Sequence, residues 1–185
     1  MKNVIIVGAS RSGKSTVAKQ LCKKHNMVYM PFDAIVSTIE NLYPEIEIKH
    51  LDDNIDMSPK IAKFICEFIK HLDYEDINYV FDLYQLYPND LLKYIDISNF
   101  VIVYMGYPKQ SPKEKLEIIK KYARINDWTR RIDDDEMIEA ITAFTEENKK
   151  MYNQCLKNNI PFFDTSANFK EMITKIVNYI EKNIN

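Results

Sequence analysis

Gly8, Gly13, Lys14 and Ser15 are the residues whose types and spacing could do chemistry, in the run Gly-Ala-Ser-Arg-Ser-Gly-Lys-Ser. This is the spacing G-x-x-x-x-G-K-[ST] of a phosphate-binding loop. Glycine at 8 and 13 lets the backbone take conformations that a Cβ forbids, so that successive N–H groups can converge on an anion. Lys14 would bring positive charge to the β and γ phosphates, and the Ser15 hydroxyl suits Mg²⁺. The candidate cradle is therefore Gly8, Ala9, Ser10, Arg11, Ser12, Gly13, Lys14, Ser15 and Thr16. The chain holds three glycines, where average usage of about 7% would give about thirteen, and two of the three stand where this loop needs them.

Two carboxylates and a cluster of arginines complete the candidate chemistry. Asp82 closes the apolar run Ile77–Leu83, the form of an acidic residue that holds Mg²⁺ directly or through water; a turn-forming Asp at a strand end would look the same. Asp33 follows Met27–Met30 and Pro31 and can face a nucleotide site from a strand's carboxyl end, or simply cap the next helix. The chain has four arginines against twenty-one lysines. Arg11 lies inside the loop, and Arg124, Arg130 and Arg131 share one short segment with Trp128. Arginine there fits planar, bidentate phosphate recognition, or else a charged helix end.

The elements that must position these groups can be read in order. Val4 to Val7 predict a strand, and Val17, Ala18, Leu21 and Cys22 recur at helical spacing after the loop. Met27–Met30 predicts a short buried strand that Pro31 stops. Ile35, Val36, Ile39, Leu42 and Tyr43 predict a helix ended by Pro44, and the acidic stretch 45–56 predicts an irregular loop or one wall of a cleft. Ser58-Pro59 predicts the start of a helix whose buried face is Ile61, Phe64, Ile65, Phe68, Ile69 and Leu72. His71 beside that face is expected to be structural or exposed. Strands are expected at Ile77–Leu83, Asn99–Met105 and Ile160–Asp164, the last edge-like, with helices opening at Pro88 and at the capping box Ser111-Pro112-Lys113-Glu114. A helix capped by Asp133 to Glu136 and a last one burying Phe169, Met172, Ile173, Ile176, Val177 and Ile180 complete the pattern. Continuous apolar strands separated by helices predict a parallel α/β sheet covered on both faces.

A chain of 185 residues suits one domain with one sizeable core, 1–185. The net charge of −2 and the pI near 6.0 give no basic bias for nucleic acid. Cys22, Cys66 and Cys155 show no metal-ligand spacing and read as free thiols in a reducing compartment. The start of the sequence shows no signal-type apolar region, and no run reaches membrane-spanning length. A cytoplasmic protein with no nucleic-acid or membrane partner, monomer or homodimer, is expected.

On these residues the chain resembles a small P-loop kinase of the adenylate kinase, shikimate kinase and gluconate kinase group. The resemblance implies a three-layer α/β/α P-loop NTPase fold with a five-stranded parallel sheet in the order 2-3-1-4-5. It also implies a helical lid at approximately 112–136 carrying Arg124, Arg130 and Arg131, and an acceptor-side insertion at approximately 33–73. Asp82 would be the strand-three acid, Asp33 the acceptor-facing carboxylate, and the turn 164–168, including Thr165, the neighbour of adenine. ATP and Mg²⁺ are the implied cofactors, with Lys14, Asp33 and the lid arginines catalytic and Ser15 and Asp82 on the metal. Neither N-K-x-D nor D-x-x-G is present, which disfavours a regulatory GTPase. Nucleoside monophosphate kinases carry D-G-F-P-R after strand three, whereas here the chain reads Asp82-Leu83-Tyr84-Gln85, and no arginine lies between Arg11 and Arg124. A small neutral or cationic hydroxyl acceptor is therefore expected. The alternatives are a nucleoside or nucleotide kinase of the adenylate kinase type, and a nucleotide-gated binding or regulatory protein that transfers no phosphate.

Overall fold

The strands of this chain alternate their side chains between two apolar layers, and that alternation explains the architecture. In β1 (Asn3–Gly8), Val4 and Ile6 face one cluster while Ile5 and Val7 face another, all four fully buried. The first cluster is filled by α1 (Lys14–His25), through Val17, Ala18 and Leu21, and by α7 (Phe169–Asn183), through Ile173, Ile176, Val177 and Ile180. The second is filled by α2 (Phe32–Leu42), α3 (Asn54–Lys70), α4 (Pro88–Tyr94) and the far end of α6 (Asp134–Lys157). The computed structural model describes residues 1–49, 54–72, 77–123, 125 and 127–184, without the side chains of 54 and 55.

Five parallel strands form one sheet in the order β2-β3-β1-β4-β5, where β2 is Val28–Pro31, β3 Tyr79–Leu83, β4 Phe100–Gly106 and β5 Phe162–Asp164. With helices on both faces this is the three-layer fold expected from the sequence. The register aligns Ile6 with Asp82 and Pro31 with Asp82 on the other side, so the carboxyl ends of β2, β3 and β1 meet at one edge. Gly8 is required there by close approach. A Cβ on it would lie 1.9 Å from the carbonyl oxygen of Met105 on β4.

Several local expectations are corrected. β2 is an edge strand rather than a buried one, with Val28 exposed, because only β3 pairs with it; for the same reason Pro31 can end the strand without breaking a second ladder. α3 begins at Asn54, so Pro59 lies inside it, and the Ser58 hydroxyl is spent on tertiary bonds, donating to Asp90 (2.6 Å) and accepting from the Tyr87 N–H (2.8 Å). Leu42, at the end of α2, and Tyr43, its C-cap, continue the apolar period of the helix but are exposed rather than buried. His71 is exposed beside Glu67, as expected. Ser111 and Glu114 form the capping box that opens α5 (Pro112–Tyr122). No described helix is long and apolar enough to cross a membrane.

Candidate nucleotide-binding site

The loop between β1 and α1 is shaped by where its carbonyls go. The Ala9 carbonyl accepts from Lys14 Nζ (3.1 Å), that of Ser10 from the Tyr107 hydroxyl (2.8 Å), and that of Arg11 from Lys115 Nζ (3.0 Å). Three consecutive carbonyls are thus tied back into the protein. Arg11 and Gly13 take positive φ, 63° and 103°, which turns the intervening peptides in the manner of an anion nest. The first-turn N–H groups of α1, at Lys14 and Ser15, have no intrahelical acceptor and carry the positive end of the helix dipole.

Behind the loop lies a carboxylate centre. Asp82 Oδ2 accepts hydrogen bonds from Ser15 Oγ (2.7 Å) and from the Tyr29 hydroxyl (2.7 Å). Lys14 Nζ lies 3.9 Å from Oδ1, which is buried and accepts no hydrogen bond. Burial, with Asp82 and Asp33 adding to it, pushes the Tyr29 phenol up to about 12 against the opposing bond from Ser15. Tyr29 is therefore a neutral donor at ordinary pH. Ser15 spends its proton on Asp82 and keeps its lone pairs, and Asp82 keeps one oxygen that accepts no hydrogen bond. A serine oxygen and an unpartnered carboxylate oxygen are hard donors of the kind that suit Mg²⁺, so the residues present fit the ion that the sequence predicts. Asp33 sits in the first turn of α2, not at its N-cap, which is Pro31. It is half-buried, and its charge reaches the Tyr29 hydroxyl.

On the opposite side, the segment that follows α5 (Pro112–Tyr122), where the sequence reading puts a lid, approaches the loop through Arg11. Its guanidinium forms an ion pair with Asp127 and lies over the Trp128 ring, 5.6 Å from the centroid. Burial alone would raise the Asp127 carboxyl, but hydrogen bonds from Arg11 and Thr129, together with the Arg11 charge, hold it down at about 2. Lys115 is almost fully buried, with its ammonium 3.9 Å from the Tyr107 ring centre. Burial, then the charge of Arg11, lowers it to about 8. Arg130 donates to the Ala123 carbonyl (3.0 Å) within the lid itself, the Arg131 side chain is exposed, and Arg124 lies outside the described residues. Among the described residues, Arg11 is a guanidinium that joins the loop to the segment after α5. A cavity of about 390 Å³ opens between α5, the 3-10 turn Trp128–Arg130 and α6. A groove of about 340 Å³ runs along α1 from Ser15 to Lys23.

No protein-family model matches the chain, and no curated protein matches it in sequence. Solved structures do match it. Shikimate kinase from Bacteroides thetaiotaomicron aligns over 98% of both chains with a TM-score of 0.58 at 13% identity. A gluconokinase from Sinorhizobium meliloti 1021 aligns over 98% of this chain and 92% of its own, with a TM-score of 0.57 at 13% identity. Shikimate kinase from Acinetobacter baumannii, in complex with shikimate, aligns over 99% of this chain and 94% of its own, with a TM-score of 0.57 at 14% identity. This chain has the fold of the small P-loop kinases. The sheet order and the placement of the loop after the central strand are those the sequence predicts for that fold.

Within this P-loop kinase fold, the structure brings Lys14, Ser15 and Asp82 together as predicted and adds groups that sequence reading passed over. Tyr29 on β2, Tyr107 after β4, Lys115 on α5 and Asp127 before the 3-10 turn brace the site. Thr165 is buried, with its hydroxyl (3.0 Å) and N–H (2.6 Å) both directed at the Gly106 carbonyl, which pins the turn after β5 to the end of β4. Phe169 belongs to the apolar period of α7 but is 41% exposed, because it sits where α7 meets the loop. A Cβ on Gly13 would come within 2.8 Å of its ring. The signals that could have found these residues are weak ones: a tyrosine on an otherwise aliphatic strand, and a lysine inside an apolar helical stripe.

Proposed function

We propose that this protein is an ATP-dependent small-molecule kinase that transfers the γ-phosphoryl group to a hydroxyl of a small neutral or cationic acceptor. The observation that carries this reading is the carboxylate centre under the loop. Asp82 is held against Ser15 with Oδ1 free of hydrogen bonds and 3.9 Å from the Lys14 ammonium. An acid so placed beside the loop serine and lysine supports a metal-bearing phosphate site of the kind that phosphoryl transfer uses.

In this reading the loop N–H groups and Lys14 hold the β and γ phosphates, and Lys14 offsets charge that builds on the equatorial oxygens during in-line transfer. Ser15 and Asp82 would hold Mg²⁺, which supplies further charge neutralisation when bound. Asp33, on the acceptor side of the same edge, orients the acceptor hydroxyl and takes its proton as the P–O bond forms. The lid arginines, Arg124, Arg130 and Arg131, close over the nucleotide and exclude water as a competing acceptor. Support for a neutral or cationic acceptor is compositional: no arginine lies between Arg11 and Arg124, and Asp33 is the charge placed at that edge.

Incubation with γ-labelled ATP and a panel of nucleosides, polyols, amino alcohols and antibiotics tests the reading. Label should move to one hydroxyl-bearing class, and Asp33→Asn should lose that transfer by at least about 100-fold while keeping ATP affinity. Tight ATP binding without transfer to any acceptor would make the protein a nucleotide-gated binding protein instead. A fully active Asp33→Asn would return Asp33 to a structural role in α2.

A further inference from the structure

The two oxygens of Asp82 are treated unequally, and the cause is a residue outside the phosphate loop. Ser15 Oγ and the Tyr29 hydroxyl both donate to Oδ2, each at 2.7 Å, while Oδ1 is buried with no hydrogen bond and has the Lys14 ammonium 3.9 Å away. One hydrogen bond would not achieve this, because the terminal torsion of an aspartate is broad and the carboxylate could swing to exchange its oxygens. Two donors arriving from different elements, α1 and β2, define which oxygen is which.

Tyr29 is well placed to act as the fixed donor. Register pairs it with Val80 on β3, two residues before Asp82. Its ring packs against the apolar layer under α1, and Lys19 Nζ lies 5.9 Å from the ring centre on the other side. Ser15 is different, since its oxygen is also a candidate metal donor. A bound cation would compete for the geometry of that hydroxyl, whereas nothing of the kind draws Tyr29 away.

We propose that Tyr29 is the positioning residue for the metal-bearing carboxylate, saturating Oδ2 of Asp82 so that Oδ1 faces a divalent cation or its hydration shell at the phosphate loop. This rests on the nucleotide-and-metal reading of the loop and names a residue that the loop motif does not contain. Supporting partners of this sort typically alter metal affinity by about 10- to 100-fold when removed.

The test is Mn²⁺ binding followed by electron paramagnetic resonance in the presence of ADP, so that no turnover is involved. Tyr29→Phe keeps the ring and its packing. Its Mn²⁺ dissociation constant should rise by about 10-fold or more, with ADP affinity in EDTA and the melting temperature close to wild type. Ser15→Ala separates this inference from the reading beneath it. Loss of Mn²⁺ in Ser15→Ala with wild-type binding in Tyr29→Phe overturns the Tyr29 assignment alone. Wild-type Mn²⁺ binding in both variants overturns the metal site itself, and Tyr29 with it. Equal losses of metal-free ADP affinity and Mn²⁺ affinity in Tyr29→Phe would mean that the hydroxyl merely supports the loop.

Discussion

The loop between β1 and α1 is partly buried and braced by Tyr107 after β4, by α5 and by its own helix, whereas the segment after α5 leaves Ile125 91% and Trp128 45% exposed. Both carry arginine, yet they use it differently. Arg11 is half-buried and ion-paired, while the side chain of Arg131 stands in solvent. The loop is a surface prepared before its ligand arrives, since each carbonyl tied back contributes about 0.5–1.5 kcal/mol toward one geometry. The lid is attached to it through Arg11, Asp127 and Trp128, a contact that can be released at modest cost. Under the proposed kinase reading, a braced loop beside a segment held by a few surface contacts is the division expected where a phosphate must be gripped and an acceptor must still enter.

The strongest challenge to that contrast is Lys14→Met, which keeps the stem and removes the ammonium. ATP turnover should fall by at least about 100-fold, and calorimetric ATP affinity should fall with it; an unchanged value for both would mean that the loop is not the phosphate site. A smaller effect is expected at the attachment. Asp127→Asn removes the charge that holds Arg11 but preserves the shape of the turn, and should lower the melting temperature by only about 2–4 °C, the equivalent of about 1 kcal/mol in a chain of this size. Trp128 fluorescence should become more mobile in anisotropy measurements. If instead the variant lost ATP binding, loop and lid would be one unit rather than two.

The smallest effect is the acid dependence of the same pair. The Asp127 carboxyl is depressed from 3.8 to about 2 in the folded protein, so its contribution is fully present above about pH 4 and is lost as pH falls toward 2. The difference in melting temperature between wild type and Asp127→Asn should therefore shrink across that window. A difference that stayed constant to pH 2 would show that the Asp127 charge is not what holds the lid segment down.

Some of this was legible before any coordinates. The loop and its strand and helix could be read because every group that shapes them is contiguous: Val4 to Val7, Gly8, Gly13, Lys14, Ser15 and the apolar face of α1 follow one another without interruption. Asp82 was legible because a strand that ends in a carboxylate is a local pattern. Errors fell where local pattern and tertiary coverage disagree. The period of α2 runs through Leu42 and that of α7 includes Phe169, but periodicity records what a face could bury and not whether anything lies opposite. Likewise Ser58-Pro59 has the form of a helix start, yet the helix had already begun a turn earlier and the serine was engaged with Asp90 and Tyr87.

The sequence by itself determined that a loop of phosphate-binding form ends the first strand of a parallel α/β sheet and that an acid stands near the end of another strand. Only the tertiary structure decided that Tyr29, 53 residues before Asp82, donates to the same carboxylate, and that Lys115 and Asp127, 104 and 116 residues beyond Arg11, take hold of its two ends. The reason is topological. Strand β2 lies beside β3 rather than β1, and α5 returns over the loop from β4, so these meetings depend on the sheet order, which a linear pattern does not carry. A loop is written in consecutive residues; the shell that gives it one shape is written in the packing.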